Sequence, residues 1–296
     1  MAAPLVHLFD SHVYIFRAWV TLPEMPAPDG RHTGAAYGFA NTLLRYLADE
    51  EPEYAACCFD YAMTSFRNAV FPAYKSSRGE EAPPDLVPQF EMAKDAAWGI
   101  GLGAFEQSDY EADDVIGTLV TQLLEQGARV RVVTADKDLA QLVTEDGSVT
   151  LYDLQRDTHM DADGVREKFG VAPAQIPDYL ALVGDNVDDL PGVPGYGKKS
   201  AAIALNAFGR LEDIPGDAQG WDGVAVRGAK RLADNIAAHR EQALAIRDLA
   251  TVVRKVPGIR ASLGELAWKG ADRKRFPDLC DRLGWGRIAT RASRWA

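Results

Sequence analysis

The stretch YEADDVIGTLV, residues 110–120, crowds Glu111, Asp113 and Asp114 into the opening turn of a helical pattern. In isolation this is N-terminal capping, since the helix dipole favours negative charge there by about 0.3–1 kcal/mol per group. The surroundings suggest more. The apolar runs PLVHLF, YAACCF and ARVRVVTA stop at Asp10, Asp60 and Asp136, Asp138 follows two positions later, and GDNVDD supplies Asp185 and Asp188. Carboxylates held together repel, and burial raises the cost, so such a set calls for cations. Hard divalent ions with oxygen ligands are the natural partners. Two of them about 3.5–4 Å apart clamp a phosphodiester, one generating the attacking hydroxide and the other stabilising the departing oxygen. The calcium-loop spacing D-x-[DN]-x-[DN]-G is absent.

The elements that must position these groups follow from periodicity. Residues 4–9, 54–59 and 128–135 are expected strands, and residues 34–48 and 112–126 have helical spacing, the latter closed by Gly127. Strands alternating with helices imply an α/β fold with a largely parallel sheet, whose ligands gather at the carboxyl ends of the strands. Helical spacing puts Glu111 and Asp114 on one face and rotates Asp113 away. Beyond about residue 160 strand signals fade and helices are expected at 199–208, 226–238 and 240–254, which divides the chain into 1–160 and 161–296. Residues 76–88 are polar and proline-rich and are expected to be a mobile connection.

With 296 residues, 47% of them apolar, the chain can bury a sizeable core. Three cysteines and five scattered histidines give neither a disulfide framework nor a zinc spacing, so histidine chemistry is not expected. No membrane-spanning run or leader is evident, and a cytoplasmic location is expected. The net charge of −11 argues against nucleic acid only until the nine candidate carboxylates are set aside, which removes nearly all of it.

LPGVPGYGKKSA, residues 190–201, offers Gly192, Gly195 and Gly197 ahead of a helix that opens with Lys198, Lys199 and Ser200. The stretch nearly matches a nucleotide-binding P-loop, but Lys199 stands where Ser or Thr is required and no hydrophobic strand precedes it. The alternative is a helix–hairpin–helix turn, whose backbone approaches one DNA strand without reading bases.

The blocks LFDSHVYIFRA, HTGAAYGFANTLLRYL, CCFDYAMTSFRNAVFPAYKSSR, SDYEADDVIGTLV, VVTADKDLAQLV and GDNVDDLPGVPGYGKKSA together resemble the bacterial and phage 5′-nuclease (flap endonuclease) family, including the 5′-nuclease domain of DNA polymerase I. The resemblance implies a PIN-like, Rossmann-like core with a helical arch at about 61–92, then a helical region carrying a helix–three-turn–helix element. It implies two Mg²⁺ ions, replaceable by Mn²⁺, the first on Asp10, Asp60, Glu111 and Asp113 and the second on Asp114, Asp136, Asp138, Asp185 and Asp188. All nine positions are filled, whereas free-standing relatives of the exonuclease IX type lack second-site carboxylates. Lys75 and Arg78 are implied to act on the scissile phosphate alongside the catalytic Asp10 and Asp113. Arg17, Arg67, Tyr74, Lys75 and Arg78 are implied to contact DNA, as are residues 195–200 (Gly195, Tyr196, Gly197, Lys198, Lys199, Ser200). A potassium ion is implied at the carbonyls of Leu182, Val183, Pro191, Val193 and Tyr196. Lys198 and Asp189 depart from the proline and asparagine common at those positions.

The implied activity is 5′→3′ exonuclease and flap endonuclease action by a free-standing, monomeric enzyme on DNA with a 5′ end or flap, and on RNA–DNA hybrid primers. A DNA-binding paralogue without catalysis and a PIN-type ribonuclease are the competing readings.

Overall fold

The computed structural model describes residues 3–79 and 81–296. Six strands form one sheet: β1 (Leu5–Asp10), β2 (Tyr54–Cys58), β3 (Gly103–Phe105), β4 (Arg129–Val133), β5 (Val149–Asp153) and β6 (Thr158–Met160). Their order is β3-β2-β1-β4-β5-β6, parallel throughout except that β6 runs antiparallel to β5. The central strands are rich in apolar residues because both faces are covered, with His7 in β1 and Arg131 in β4 as the interruptions. Val6, Leu8, Ala56 and Cys58 point into one core cluster, while Phe9, Ala55 and Cys57 point into the other.

Helices α1 (Ser11–Thr21), α2 (Gly34–Glu50), α3 (Phe66–Val70), α4 (Val87–Ile100) and α5 (Ala112–Glu125) complete the sheet-bearing half. Residues of α1, α2 and α4 share the cluster that contains Phe9, and those of α5 share the one that contains Leu8. The rest of the chain adds α6 (Ala162–Phe169), α7 (Ile176–Val183), α8 (Lys198–Phe208), α9 (Ala229–Ala250) and α10 (Arg275–Leu283). Among the described residues no helix is long and apolar enough to cross a membrane.

The register explains why the strand-ending aspartates share one edge. Asp10 is level with Cys58, two residues before Asp60, and Phe9 is level with Val133, three before Asp136.

Several expectations change. The helices read at 226–238 and 240–254 are one, α9, because His239 and Arg240 interrupt the apolar pattern without breaking the backbone. The sheet gains β5 and two three-residue edge strands, β3 and β6, whose GAF and THM sequences are too short and too weakly apolar to announce themselves. The connection read at 76–88 contains a 3₁₀ turn, Ser76–Arg78, and α4 already begins at Val87. Between α3 and α4, Pro72, Gly79, Pro83 and Pro84 keep the segment from forming a continuous helix.

Candidate active site

A pocket of about 520 Å³ opens at the carboxyl edge of the sheet. Asp10, Asp60, Glu111, Asp113 and Asp136 line it, with Lys75 and Arg78 on a wall shared with Ala62, Met63, Glu81 and Pro83. His12, Val13, Phe16 and Trp19 of α1 make an apolar side, with His12 tilted against Phe16 and Phe90 and Phe16 edge-on to Phe90.

The opening turn of α5 separates its three acids in an order that helical spacing did not foresee. Glu111 is the N-cap, with extended φ −89° and ψ 161°, so the 100° step between helical residues does not begin until the next position. Glu111 and Asp113 therefore share the pocket, and Asp114 turns into the core. Asp114 is 0% exposed and grips Arg67 through two hydrogen bonds, from Nη1 at 2.7 Å and Nη2 at 2.8 Å. It also accepts the amides of Glu111 at 3.3 Å and Val253 at 2.9 Å. Arg67 in turn donates to the carbonyls of Leu249 and Thr251, which ties α5 to the end of α9.

Asp113 and Asp10 have no such partner. Burial, then the charges of Asp136 and Asp10, pushes the Asp113 carboxyl well above its usual range. Burial and Asp136 likewise raise Asp10 to about 7, against a 2.7 Å hydrogen bond from Thr134 Oγ1. For Glu111, burial is outweighed by Lys75 and Arg67, so its carboxyl is lowered; Ser65 Oγ donates to it at 2.8 Å.

The remaining acids form a second group joined to the first by basic side chains. The Lys75 ammonium pairs with Glu111 and stands 3.9 Å from Asp188. Arg78 donates to Asp188 Oδ1 at 2.7 Å. Lys137 pairs with Asp185 and lies 3.3 Å from Asp138 Oδ1, an oxygen that is buried without a hydrogen bond. Burial and Asp136 raise Asp138 to about 7. The ammonium groups take the space between the carboxylates. Among the described residues no three His, Cys, Asp or Glu side chains converge on a common point as an ion's ligand shell would.

Loop 185–190 is interlocked with the basic segment. The Lys75 amide donates to Asp188 O, the Arg78 Nε to Val187 O, and the Tyr74 hydroxyl to Glu111 and Asp188 at 3.3 Å each. Asp189, at φ +54°, accepts the Ser77 amide at 2.8 Å, a conformation and a bond that asparagine would also supply.

The glycine turn forms as a tight backbone crossing. A Cβ on Gly192 would stand 2.5 Å from Val183 O, and one on Gly184 would stand 2.6 Å from Gly192 N. The Leu182 carbonyl accepts Val193 N–H and the Val193 carbonyl accepts Tyr196 N–H. Gly195, Gly197, Lys198 and Lys199 are exposed, whereas Tyr196 is buried with its hydroxyl on Leu232 O. Ser200 Oγ accepts the Gly197 amide at 2.9 Å, a reciprocal brace at the start of α8.

Among the implied DNA-contacting residues, Arg67 and Tyr74 are buried in the protein, and Arg17 lies on the side of α1 away from the acidic pocket. The sequence reading passed over His12, whose Nδ1 accepts the Asp60 amide at 3.0 Å. It also passed over Lys137, which its place in ADKD between two acids could have signalled.

A family model described as 5′-3′ exonuclease, N-terminal resolvase-like domain, matches residues 5–170, and one described as 5′-3′ exonuclease, C-terminal SAM fold, matches residues 171–274. The chain is 36% identical to DNA polymerase I of Bacillus caldotenax over 283 residues, covering 94% of this chain and 31% of that protein. It is 34% identical to DNA polymerase I of Bacillus subtilis over 289 residues, covering 96% and 32%. The chain thus spans about a third of the length of these curated relatives. Among solved structures, T5 5′-exonuclease with bound zinc superposes with a TM-score of 0.68 at 20% identity, over 94% of this chain and 99% of that one. The catalytic core of Rad2 in complex with a DNA substrate gives 0.62 at 14% identity, over 96% and 88%.

Proposed function

Because the chain belongs to the 5′-3′ exonuclease family, we propose that it is a divalent-metal-dependent nuclease hydrolysing DNA phosphodiesters at 5′ ends and 5′ flaps. The observation that carries this reading is the crowding of Asp10, Asp113 and Asp136 along one pocket, where desolvation and mutual repulsion raise Asp10 and Asp113 and too few basic partners stand by to neutralise them. A protein retains such crowding at a cost in stability, and bound cations relieve it.

The donor chemistry, all carboxylate, fits hard cations such as Mg²⁺ or Mn²⁺. In this reading Asp10, Asp60, Glu111 and Asp113 hold one ion, and Asp136, Asp138, Asp185 and Asp188 the other. Asp114, with both oxygens on Arg67, braces the framework instead. When bound, the ions supply a nucleophilic hydroxide and charge stabilisation at the departing oxygen. To hold the ions, the carboxylates would have to give up their pairing with Lys75 and Lys137. Lys75, released at the pocket wall beside Arg78, is placed to offset negative charge on the phosphoryl oxygens. Neutral His12 keeps Asp60 in place: burial lowers its basicity, and Nδ1 is occupied as an acceptor.

DNA is held on the α8 side by the exposed turn residues Gly195, Gly197, Lys198 and Lys199, at a helix N-terminus suited to phosphate. A potassium ion would use the carbonyls of Leu182, Val183, Pro191, Val193 and Tyr196. Those of Leu182 and Val193 already accept one N–H each but keep a second lone pair.

The test is cleavage of a 5′-flap duplex by the purified protein with Mg²⁺ and with EDTA, alongside Asp136→Ala and Asp185→Ala. Cleavage that needs metal and is lost in both variants is expected. Undiminished cleavage by either variant at saturating Mg²⁺ overturns the assignment, and matched RNA flaps test the preference for DNA.

A further inference from the structure

Helix α1 divides two pockets. Its His12, Val13, Phe16 and Trp19 side faces the acids, while Tyr14, Arg17, Ala18 and Thr21 face a second pocket of about 350 Å³, closed by α2 and by the turn after β5.

The polar groups of this second pocket are mostly donors. Arg17 and Arg45 are both exposed and form no ion pair with any described residue, in a chain whose net charge is −11. Asp49 is the one carboxylate on the wall and lies beyond ion-pair distance of either guanidinium among the described residues. Asn41 uses its oxygen to accept from Arg291, which leaves its amide hydrogens free, and Gln155 adds a second amide. The Tyr14 hydroxyl is buried with no hydrogen-bond partner among the described residues. Two guanidiniums, two amides and a hydroxyl form a donor set that suits an oxyanion, and paired guanidiniums suit phosphate in particular.

We propose that this pocket is a second phosphate-binding subsite, taking a nucleotide phosphate group on the opposite side of α1 from the acidic pocket. The choice of phosphate rests on the nuclease reading above. One helix, about 10–12 Å across, separates the two pockets, so a nucleic acid lying over the end of α1 can place one phosphate in each. The same chemistry would also accept the phosphate of a free nucleotide, the product that a 5′-exonuclease releases. This assigns Arg17 a place apart from the reacting phosphate and gives Arg45, Asn41 and Gln155 a binding role.

The test uses the full chain and Arg45→Gln, with Tyr14→Phe as a second variant, in EDTA so that no substrate is consumed. Flap-DNA affinity is measured by fluorescence anisotropy between 50 and 200 mM salt, values spanning the range where counterion release is read, and dAMP binding by calorimetry. If the DNA backbone fills the pocket, R45Q weakens binding and lowers the log–log salt slope by roughly 0.9. Y14F then weakens binding without changing the slope. If a free nucleotide fills it, the wild type binds dAMP, R45Q does not, and the DNA slope is unchanged. An R45Q protein that melts with the wild type and matches it in both measurements overturns the subsite. The nuclease reading fails separately, if the wild type does not cleave flap DNA with Mg²⁺.

Discussion

Asp113 and Asp114 are neighbours in one helical turn, yet they meet opposite environments. Asp114 is enclosed with Arg67 and two backbone amides, so its charge is matched on every side. Asp113 faces Asp10 and Asp136 across a pocket and is left short of positive charge. Asp114 is fully buried and Asp113 partly so; the difference that matters is whether the fold supplies the counter-charge. Where it does, the carboxylate holds the structure together. Where it does not, the carboxylate is kept for something that arrives from outside.

The comparison breaks most visibly in paired variants. Asp114→Asn takes the two-point carboxylate from the buried Arg67, leaving it the 3.5 Å contact to Glu111, and is expected to cost about 3 kcal/mol of stability, read by urea denaturation. Asp113→Asn removes repulsion instead. The metal-free variant is expected to melt at or above the wild-type temperature while flap cleavage falls on the order of 10²–10³-fold. A D113N protein destabilised as much as D114N would erase the distinction.

The pH dependence sharpens it. Asp10 and Asp138 are raised to about 7 in the folded chain. Their protonated forms therefore stabilise the fold fully below the unfolded value near 3.9, and that contribution is lost as pH rises through about 7. The melting temperature of the metal-free protein should fall between pH 5 and pH 8. Added Mg²⁺ or Mn²⁺ should raise it more at pH 8 than at pH 6, since ligation needs the deprotonated acids. Glu111, lowered by Lys75 and Arg67 despite its burial, remains ionised across this window. A metal-free protein whose stability rises from pH 5 to pH 8 would contradict the unmatched state of the pocket.

The smallest effect belongs to the loop that joins the two groups. Asp189→Asn keeps both the left-handed backbone and an oxygen for the Ser77 amide, so a change within about 0.5 kcal/mol is expected by denaturation. A larger loss would mean that the negative charge of Asp189, rather than its geometry, holds the 74–78 segment in place.

Legibility in the sequence followed burial. Strands covered on both faces are runs rich in apolar residues, so β1, β2 and β4 were readable despite His7 and Arg131, and with them the edge at which Asp10, Asp60 and Asp136 emerge. The edge strand β6 carries no such run, and α9 hid behind two polar residues in mid-helix. The crowding of acids was legible; their orientation was not. Glu111 caps its helix in an extended conformation, so counting helical positions from it misplaced Asp113 and Asp114. Arg17 follows Asp10 by only seven residues, but its position on α1 turns it toward the second pocket.

The order of residues alone determined that several of the nine candidate carboxylates leave parallel strands at one edge, because apolar periodicity and strand polarity are local properties of the chain. Which of those charges is answered from within was decided only by the tertiary structure. Arg67 reaches Asp114 across 47 positions, and the Val253 amide reaches it across 139. Electrostatic matching depends on distances of a few ångströms between groups that the chain itself places far apart.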